Sequence, residues 1–338
     1  MTGRLHASLG TLAVAVLVAS VAVAGQTRSA AGNASTAPRT AWGQPDLQGV
    51  WDFRTLTPME RPDELAGKEV LTAEEAAQFQ QGQLADIAAR DDEVPDDIVG
   101  NYNQFWFDRG TTVVETNRSS LVVDPPDGRM PPLTPAAQER RAAIEEARRG
   151  IGGDEPTPGG WLEDLGPGGL RVRCILGFNS GPPMTPGGYN NNVQLLQTPD
   201  QVVIFNEMNH NARIVPLDGR PHLASDLRQW VGDSRGHWDG DTLVVETTNF
   251  LRETVVFRGQ TSASLQLVER FTRVDADTLL YEVTVDDPTT WTSPWTYAVP
   301  MMKNSDPIYE YACYEGNYAM EVILAGARAK ERAAEEAK

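Results

Sequence analysis

The chain has 338 residues, with 29 Lys and Arg against 47 Asp and Glu, and its formal net charge is −18. Such a charge repels nucleic acid phosphates and anionic lipid headgroups, so we expect neither nucleic acid nor a membrane surface as a partner. A chain of this length can bury one large core or two ordinary ones.

The first 24 residues have the pattern of a cleavable secretory signal peptide. A start carrying Arg4 precedes an uncharged apolar run, Leu9–Ala24, which ends in the A-x-A cleavage pattern Ala22-Val23-Ala24. The run is shorter than the roughly 20 apolar residues that span a membrane. We therefore expect a secreted or periplasmic protein with no membrane attachment after cleavage; an uncleaved anchor is the alternative. Loss of the one charge of Arg4 takes −18 to −19.

Cys174 and Cys313 are the only cysteines. An even pair in an exported protein favours one disulfide, which in the chain-entropy model contributes about 4–5 kcal/mol for a loop of about 140 residues. A catalytic thiolate, which requires a reduced cysteine, is the alternative.

Residues 25–41 form a polar, low-complexity leader that we predict to be disordered. Residues 42–150 follow as a portion of helices and loops. Its predicted elements are a helix from the capping box of Thr72 and Glu75 to about Arg90, short strands at Thr111–Glu115 and Ser120–Asp124, and a helix from Thr134-Pro135 to near Gly150.

Residues 150–190 are dense in Gly and Pro, which excludes long regular elements. Large apolar residues interrupt this stretch, so we expect an ordered loop pinned against the domain. They are Trp161, Leu165, Leu170, Cys174 and Phe178.

From Asn192 onward, short β-rich runs alternate with turns, which is typical of an antiparallel meander. The runs are 193–198, 201–207, 212–217, 241–250, 263–274, 278–286, 291–299 and 308–314. In the run 278–286 the apolar residues, Tyr281 among them, share one face, which predicts a packed face and a wet one. Because meanders of this size tend to close and remove their edges, we predict a mainly β fold: an antiparallel calycin-like barrel over 151–325, followed by a helical tail over 326–338.

Two resemblances accompany these patterns. Gly49-Val50-Trp51 resembles the G-x-W of lipocalin-type barrels, in which the Trp plugs one end of the barrel. Several blocks over 42–324 resemble a large family of secreted bacterial proteins of unknown function. These blocks are Leu217–His222, Gly232–Gly236, Gly240–Val245, Val268–Phe271 and Tyr309–Cys313. The resemblance implies export and a β-rich fold but no activity, and His237 departs from its pattern, where a longer basic residue is expected.

The candidate chemistry concentrates in 206–222, which holds two histidines, two acids and two arginines. His210 could act as a general base oriented by Glu207 or Asp218, and His222 is the second candidate base. In one continuous strand, Glu207 and Arg213 share a face opposite His210 and form an ordinary ion pair; a bulge or turn at Asn209–Asn211 would change that assignment.

Other polar and aromatic residues could bind the substrate. The predicted set is Arg213, Arg220, Trp230, Tyr189 and Asn191. The arginines would hold an anionic group and the aromatic rings would stack on a sugar or aromatic ring. Carboxylates also recur on the predicted strands, where an inward pair could cleave a glycoside, but we expect them on the outer face. They are Glu246, Glu269, Glu282 and Glu310.

No cofactor is predicted, because the chain lacks a P-loop, a dinucleotide-binding G-x-G-x-x-G after a strand, a G-x-S-x-G and a haem attachment site. Zinc held by Glu207, His210 and His222 is an alternative without a recognised spacing, and a hairpin turn explains Asp239 and Asp241 better than calcium does. The sequence thus predicts an acid–base lyase or hydrolase acting on a small organic or sugar-derived substrate. A non-catalytic carrier of a small molecule or saccharide, or a structural envelope protein, is the alternative.

Overall fold

A computed structural model describes residues 38–92, 107–150, 170, 174–177, 179–252, 254, 257, 261–313 and 318–336. The predicted signal peptide, most of the leader, and Trp161, Leu165 and Phe178 lie outside these ranges. Within them, no helix is long and apolar enough to cross a membrane.

The fold is mainly β: ten strands form one antiparallel sheet, accompanied by few helices. The strands are β1 (Gly49–Asp52), β2 (Val122–Asp124), β3 (Asn192–Gln197), β4 (Gln201–Asn206), β5 (Ala212–Pro216), β6 (Asp233–Asp239), β7 (Thr242–Thr248), β8 (Gln266–Arg273), β9 (Thr278–Asp286) and β10 (Trp295–Asn304). The order in the sheet is β5-β4-β3-β1-β10-β9-β8-β7-β6, and β2 also pairs with β10. Strands that are consecutive in the chain are thus mostly neighbours in the sheet, as a meander requires.

The described helices are α1 (Ala73–Asp92), α2 (Pro135–Ala147) and α3 (Ala319–Glu336). The capping box before α1 forms as predicted: Glu75 N–H donates to Thr72 Oγ1 at 3.2 Å, and Thr72 N–H donates to Glu75 Oε2 at 3.0 Å. Ahead of α2, Thr134 Oγ1 accepts from Ala137 N–H at 3.2 Å. These contacts satisfy backbone donors that the first turn of a helix leaves without partners.

Two predicted strands do not form, and one strand was not predicted. Residues 111–115 lie in a loop, where Val113 N–H donates to the Gln80 side chain rather than to a ladder. The described residues of 308–314 contain no strand. Strand β6 was not predicted, because Gly236 and His237 interrupt the alternation of apolar and polar residues along it.

The core lies on the concave face of the sheet, and alternation of buried and half-buried residues along β8, β9 and β10 builds it. Tyr281 and the apolar residues of its run are buried, so the predicted packed face is confirmed. Trp51 is fully buried, and its indole donates to the Leu47 carbonyl at 2.9 Å. The Arg273 guanidinium lies 5.3 Å from the Trp51 ring and donates to the carbonyl oxygens of Asp46, Asp275 and Ala276. Arg273 therefore ties the start of β1 to the β8–β9 turn at one end of the sheet.

Backbone hydrogen bonds do not close the sheet into a barrel, because its path ends at β5 on one side and β6 on the other. The two edge strands nevertheless contact each other through side chains. Arg213 donates to Ser234 Oγ at 3.4 Å, and a Cβ on Gly236 would come within 2.9 Å of Val215 and 2.7 Å of Leu217. The close approach requires glycine at 236, and the closed, calycin-like barrel stays a prediction.

Candidate functional site

The 206–222 segment is not one continuous strand. It leaves β4 at Asn206, turns through Met208–His210 and enters β5 at Ala212. Asn209 and His210 take positive φ values of 59° and 48°, which Asn tolerates better than most residues. The turn that the sequence left open is therefore the correct interpretation.

Glu207 is buried at the end of β4, and its carboxylate does not pair with Arg213. It accepts one hydrogen bond from Asn190 and one from Asn192, each at 2.7 Å. Amide groups thus donate to both carboxylate oxygens, and the Glu207–Arg213 ion pair expected for one continuous strand does not form.

His210 contacts the chain near its C-terminal cysteine rather than an acid. Its Nε2 accepts from Tyr311 N–H at 3.0 Å and lies 2.8 Å from the Tyr309 carbonyl oxygen. Its ring also lies 5.6 Å from that of Phe205. Cys313, two residues beyond Tyr311, lies at disulfide distance from Cys174, with Cα atoms 6.1 Å apart. His210 thus fastens residues 309–311 onto the β4–β5 turn, and the cysteine pair joins the end of this segment to Cys174.

His222 is the histidine that has an acid beside it. Its Nδ1 lies 2.9 Å from Asp233 Oδ2, which also accepts from Leu223 N–H at 2.9 Å. The other carboxylate oxygen accepts from Arg235 Nη1 at 2.6 Å. The side chain of Asp233 is only 5% exposed, whereas that of His222 is 30% exposed. We call His222, Asp233 and Arg235 the outer cluster, because Asp233 and Arg235 share the outward face of β6.

This arrangement suits proton transfer. A buried carboxylate that accepts from Nδ1–H fixes the imidazole tautomer and leaves Nε2 as the basic atom. No protein group in the described residues hydrogen-bonds His222 Nε2. Because the His222 side chain is partly exposed, this nitrogen is available to receive a proton from a bound molecule.

Asp218 and Arg220, the other charged residues of the segment, pair with each other on the surface. Arg220 Nε donates to both carboxylate oxygens, at 2.9 and 2.8 Å. These hydrogen bonds lower the pKa of Asp218 to about 2. Asp218 is therefore ionised at neutral pH and occupied by Arg220 rather than by a histidine.

Arg213 points to the concave face and takes part in a second group of polar residues. Its Nη2 donates to Glu269 Oε1 at 2.8 Å, and Nη1 donates to Glu269 Oε2 and, at 3.3 Å, to Thr247 Oγ1. Tyr281 donates from its hydroxyl to Glu269 Oε1 at 2.7 Å. The side chains of Arg213 and Glu269 are 7% and 0% exposed. We call Arg213, Glu269, Tyr281 and Tyr297 the inner cluster.

Burial controls the charges of the inner cluster. It opposes the charge of Arg213, but the neighbouring Glu269 carboxylate outweighs burial and raises the pKa of Arg213. Burial, and next the negative charge of Glu269, raise the pKa of the Tyr281 and Tyr297 hydroxyls well above 10.0. Both tyrosines therefore stay neutral hydrogen-bonding groups, and the ion pair carries the only charges of the cluster.

One backbone residue completes the inner cluster. Met184 N–H donates to the Tyr281 hydroxyl at 3.1 Å, and the Tyr297 hydroxyl donates to the Met184 carbonyl at 2.7 Å. Met184 is 1% exposed and packs in the main core. Beside it, Trp295 lies 5.9 Å from Tyr297 and 4.8 Å from Phe257 between ring centroids. The Trp295 indole N–H is buried, and no group in the described ranges accepts a hydrogen bond from it.

The remaining predicted binding residues are scattered. Trp230 is half-buried in the β5–β6 connection, eight residues from His222. Tyr189 is half-buried with its ring 6.2 Å from that of Phe107. Asn191 is fully buried, and its side chain holds backbone groups of Gly187 and Asp108. Asn191 therefore organises a loop rather than lining a surface.

No three His, Cys, Asp or Glu side chains gather as metal ligands in the described part of the chain. Glu207, His210 and His222 do not meet, because the first is bonded to amides, the second to 309–311 and the third to Asp233. The alternative zinc site is therefore wrong for these residues.

Sequence reasoning missed the two partners that matter most. Asp233 belonged to a quoted sequence block, but its pairing with His222 depends on how the β5–β6 connection folds back. Glu269 was expected on the outer face, yet it is fully buried, while Glu246 and Glu310 are exposed as expected. The signal for Glu269 was its spacing of two from Leu267 and Phe271, which places all three on one face of β8.

Comparisons of the chain with protein-family models, with curated proteins and with solved structures find no match. The resemblance to secreted bacterial proteins and to lipocalin-type barrels therefore stays a prediction from the quoted residues.

Proposed function

We propose that this chain is an exported acid–base enzyme, a hydrolase or lyase acting on a small organic or sugar-derived substrate, with His222 as its general base. The observation that carries the proposal is the 2.9 Å contact from Nδ1 of the partly exposed His222 to the buried Asp233, which leaves Nε2 without a partner among the described residues. Imidazole transfers protons near neutral pH because its ordinary pKa lies near 6.5.

Asp233 has the orienting role in this proposal. It accepts from His222, Arg235 and the Leu223 backbone, so its position does not depend on the histidine alone. Arg235 also donates to the Pro221 carbonyl at 3.0 Å, which holds the residue before His222. The imidazole is thus oriented through Nδ1 and through the backbone residue before it, as a positioned base requires.

The test is a turnover screen on residues 25–338, repeated with His222→Gln. Glutamine keeps polarity and size but cannot accept a proton, so we expect turnover to fall about 10²–10⁴-fold. His237→Gln is the matched control, since His237 is exposed on the face of β6 that also carries Asp233 and Arg235. Turnover that survives His222→Gln unchanged would exclude His222 as the base.

A second candidate function is carriage of a small ligand, and the inner cluster favours it. A buried Arg–Glu pair contributes little net stability compared with apolar residues of similar size, so stability alone does not account for its presence. Polar groups that converge inside a curved apolar sheet are typical of ligand sites in calycin-like barrels. In this proposal, side-chain contacts between β5 and β6 take the place of the missing ladder and complete a barrel.

Export is part of both proposals. The cysteine pair is consistent with an oxidising compartment, and the signal-like first 24 residues give the route. Fractionation of cells that express the full chain tests this, with an N-terminal sequence beginning at Gly25 as the expected result.

A further inference from the structure

We infer that the inner cluster is a binding site for one amide-flanked apolar residue of a peptide-like ligand, and that Met184 is its built-in occupant. This inference deepens the carrier function and does not depend on His222. In this site, Tyr281 and Tyr297 bind the backbone of the ligand residue, and the surrounding core encloses its side chain.

The contacts of Met184 define the ligand class. Tyr281 accepts its N–H and Tyr297 donates to its C=O, so the two hydroxyls bind both polar groups of a single residue. The methionine side chain is enclosed by the main core. A replacement must therefore supply a donor, an acceptor and an unbranched or small apolar group, and an N-acylated, amidated amino acid supplies all three.

The site does not need Met184 in order to persist. Glu269 is held in a two-point contact by Arg213 from across the sheet, and Tyr281 donates to Glu269. These residues lie on β5, β8 and β9, and Tyr297 lies on β10. Hydrogen bonds between strands thus fix Arg213, Glu269 and Tyr281 independently of the segment that carries Met184, and β10 places Tyr297 beside them.

The segment that carries Met184 is a compact loop whose ends meet. Asn179 Nδ2 donates to the carbonyl oxygens of Tyr189 and Asn190 and, at 3.1 Å, to Asn191 Oδ1. Three of its residues, Pro182, Pro183 and Pro186, have no N–H to satisfy. Withdrawal of Met184 therefore exposes few backbone donors. The hydrogen bonds of Asn179, which join the two ends of the loop, would remain.

The unpartnered indole of Trp295 supplies a separate indication of a ligand. Its N–H is buried without a hydrogen-bond partner among the described residues, and its ring lies 5.9 Å from that of Tyr297 between centroids. A buried donor without a partner carries a desolvation penalty of about 1–3 kcal/mol. A ligand with one more acceptor than Met184, such as a second amide carbonyl, would remove that penalty and compete with the loop.

The test uses N-acetyl-L-methionine methylamide as the probe and measures its binding to residues 25–338 by calorimetry. With Met184→Ala we expect at least tenfold tighter binding than with the unchanged chain, because the competing occupant is removed. Adding Tyr297→Phe should reverse the gain, and a probe methylated on its Met nitrogen should bind at least tenfold more weakly. Leu243→Ala, which opens the core elsewhere, should bind the probe no more tightly than the unchanged chain does.

Equal binding by Met184→Ala and the unchanged chain would overturn the inference, as would binding that ignores Tyr297→Phe or methylation of the probe. If Met184→Ala does not fold, hydrogen exchange of the unchanged chain decides. Saturating probe should then speed exchange across 181–187, and unaltered exchange there overturns the inference. An open screen could instead find a different ligand whose binding is unchanged when Tyr281 and Tyr297 are replaced by Phe. That result would support the carrier function and overturn this binding site.

Discussion

The inner and outer clusters meet β6 at neighbouring residues, Ser234 and Asp233, yet they differ in what they leave available. Ser234 points inward and accepts from Arg213, whereas Asp233 points outward and holds His222. Inside, every charge is matched and buried; outside, a buried acid holds a base that still reaches solvent. The comparison teaches that alternation along an edge strand can place a contact to a buried ion pair and the partner of an exposed base at adjacent positions. Substitutions inside should therefore change folding, and substitutions outside should change turnover.

The largest expected effect follows Asp233→Asn in the outer cluster. An amide at this position favours the wrong imidazole tautomer with little change of geometry, and comparable replacements lower kcat about 10⁴-fold. Steady-state kinetics on a substrate from the screen measures the loss, and urea unfolding should show a much smaller change, about 1–2 kcal/mol. Asp239→Asn is the control, because Asp239 is exposed on the same face of β6. Comparable kinetics for the two variants would remove Asp233 from the mechanism.

The next effect is on stability and follows Glu269→Gln in the inner cluster. The change leaves the Arg213 charge buried without its counter-ion, which lowers the free energy of unfolding by about 3–5 kcal/mol. Glu246→Gln, on the exposed face of β7, should change it by less than about 0.5 kcal/mol. Urea denaturation at pH 7 compares the two.

The double variant Arg213→Met, Glu269→Leu sharpens this prediction. If the ion pair is retained for binding rather than for stability, the doubly apolar chain should be at least as stable as the unchanged one. A double variant less stable than Glu269→Gln alone would show that the network stabilises the fold.

The sequence predicted most of the sheet because alternation along each strand is a local signal. The packed face around Tyr281, the Asp239-Gly240-Asp241 turn and the capping box of Thr72 all follow from neighbours within a few residues. Pairings across the chain carry no such signal. Asp233 meets His222 only because the β5–β6 connection folds back, and Glu269 meets Arg213 only because the sheet curves until β5 lies opposite β8. To predict the inward position of Glu269, one would have to assign an acidic residue to the buried face of β8. Acidic side chains are rarely buried, so the residue type argues against that assignment.

The smallest effect appears at high pH and again separates the two clusters. Because burial and Glu269 raise the pKa of Tyr281 and Tyr297 above 10.0, the folded chain keeps protons there that the unfolded chain releases. Stability is therefore complete below about pH 10 and falls above it, by about 1.4 kcal/mol per pH unit for each tyrosine. Urea unfolding from pH 8 to 11 should show a shallower decline in Tyr281→Phe, at the cost of about 1–3 kcal/mol at neutral pH from its lost hydrogen bonds. Tyr318→Phe, which removes an exposed hydroxyl, should leave the decline unchanged; if it flattens the curve as much as Tyr281→Phe does, the alkaline loss arises outside the inner cluster.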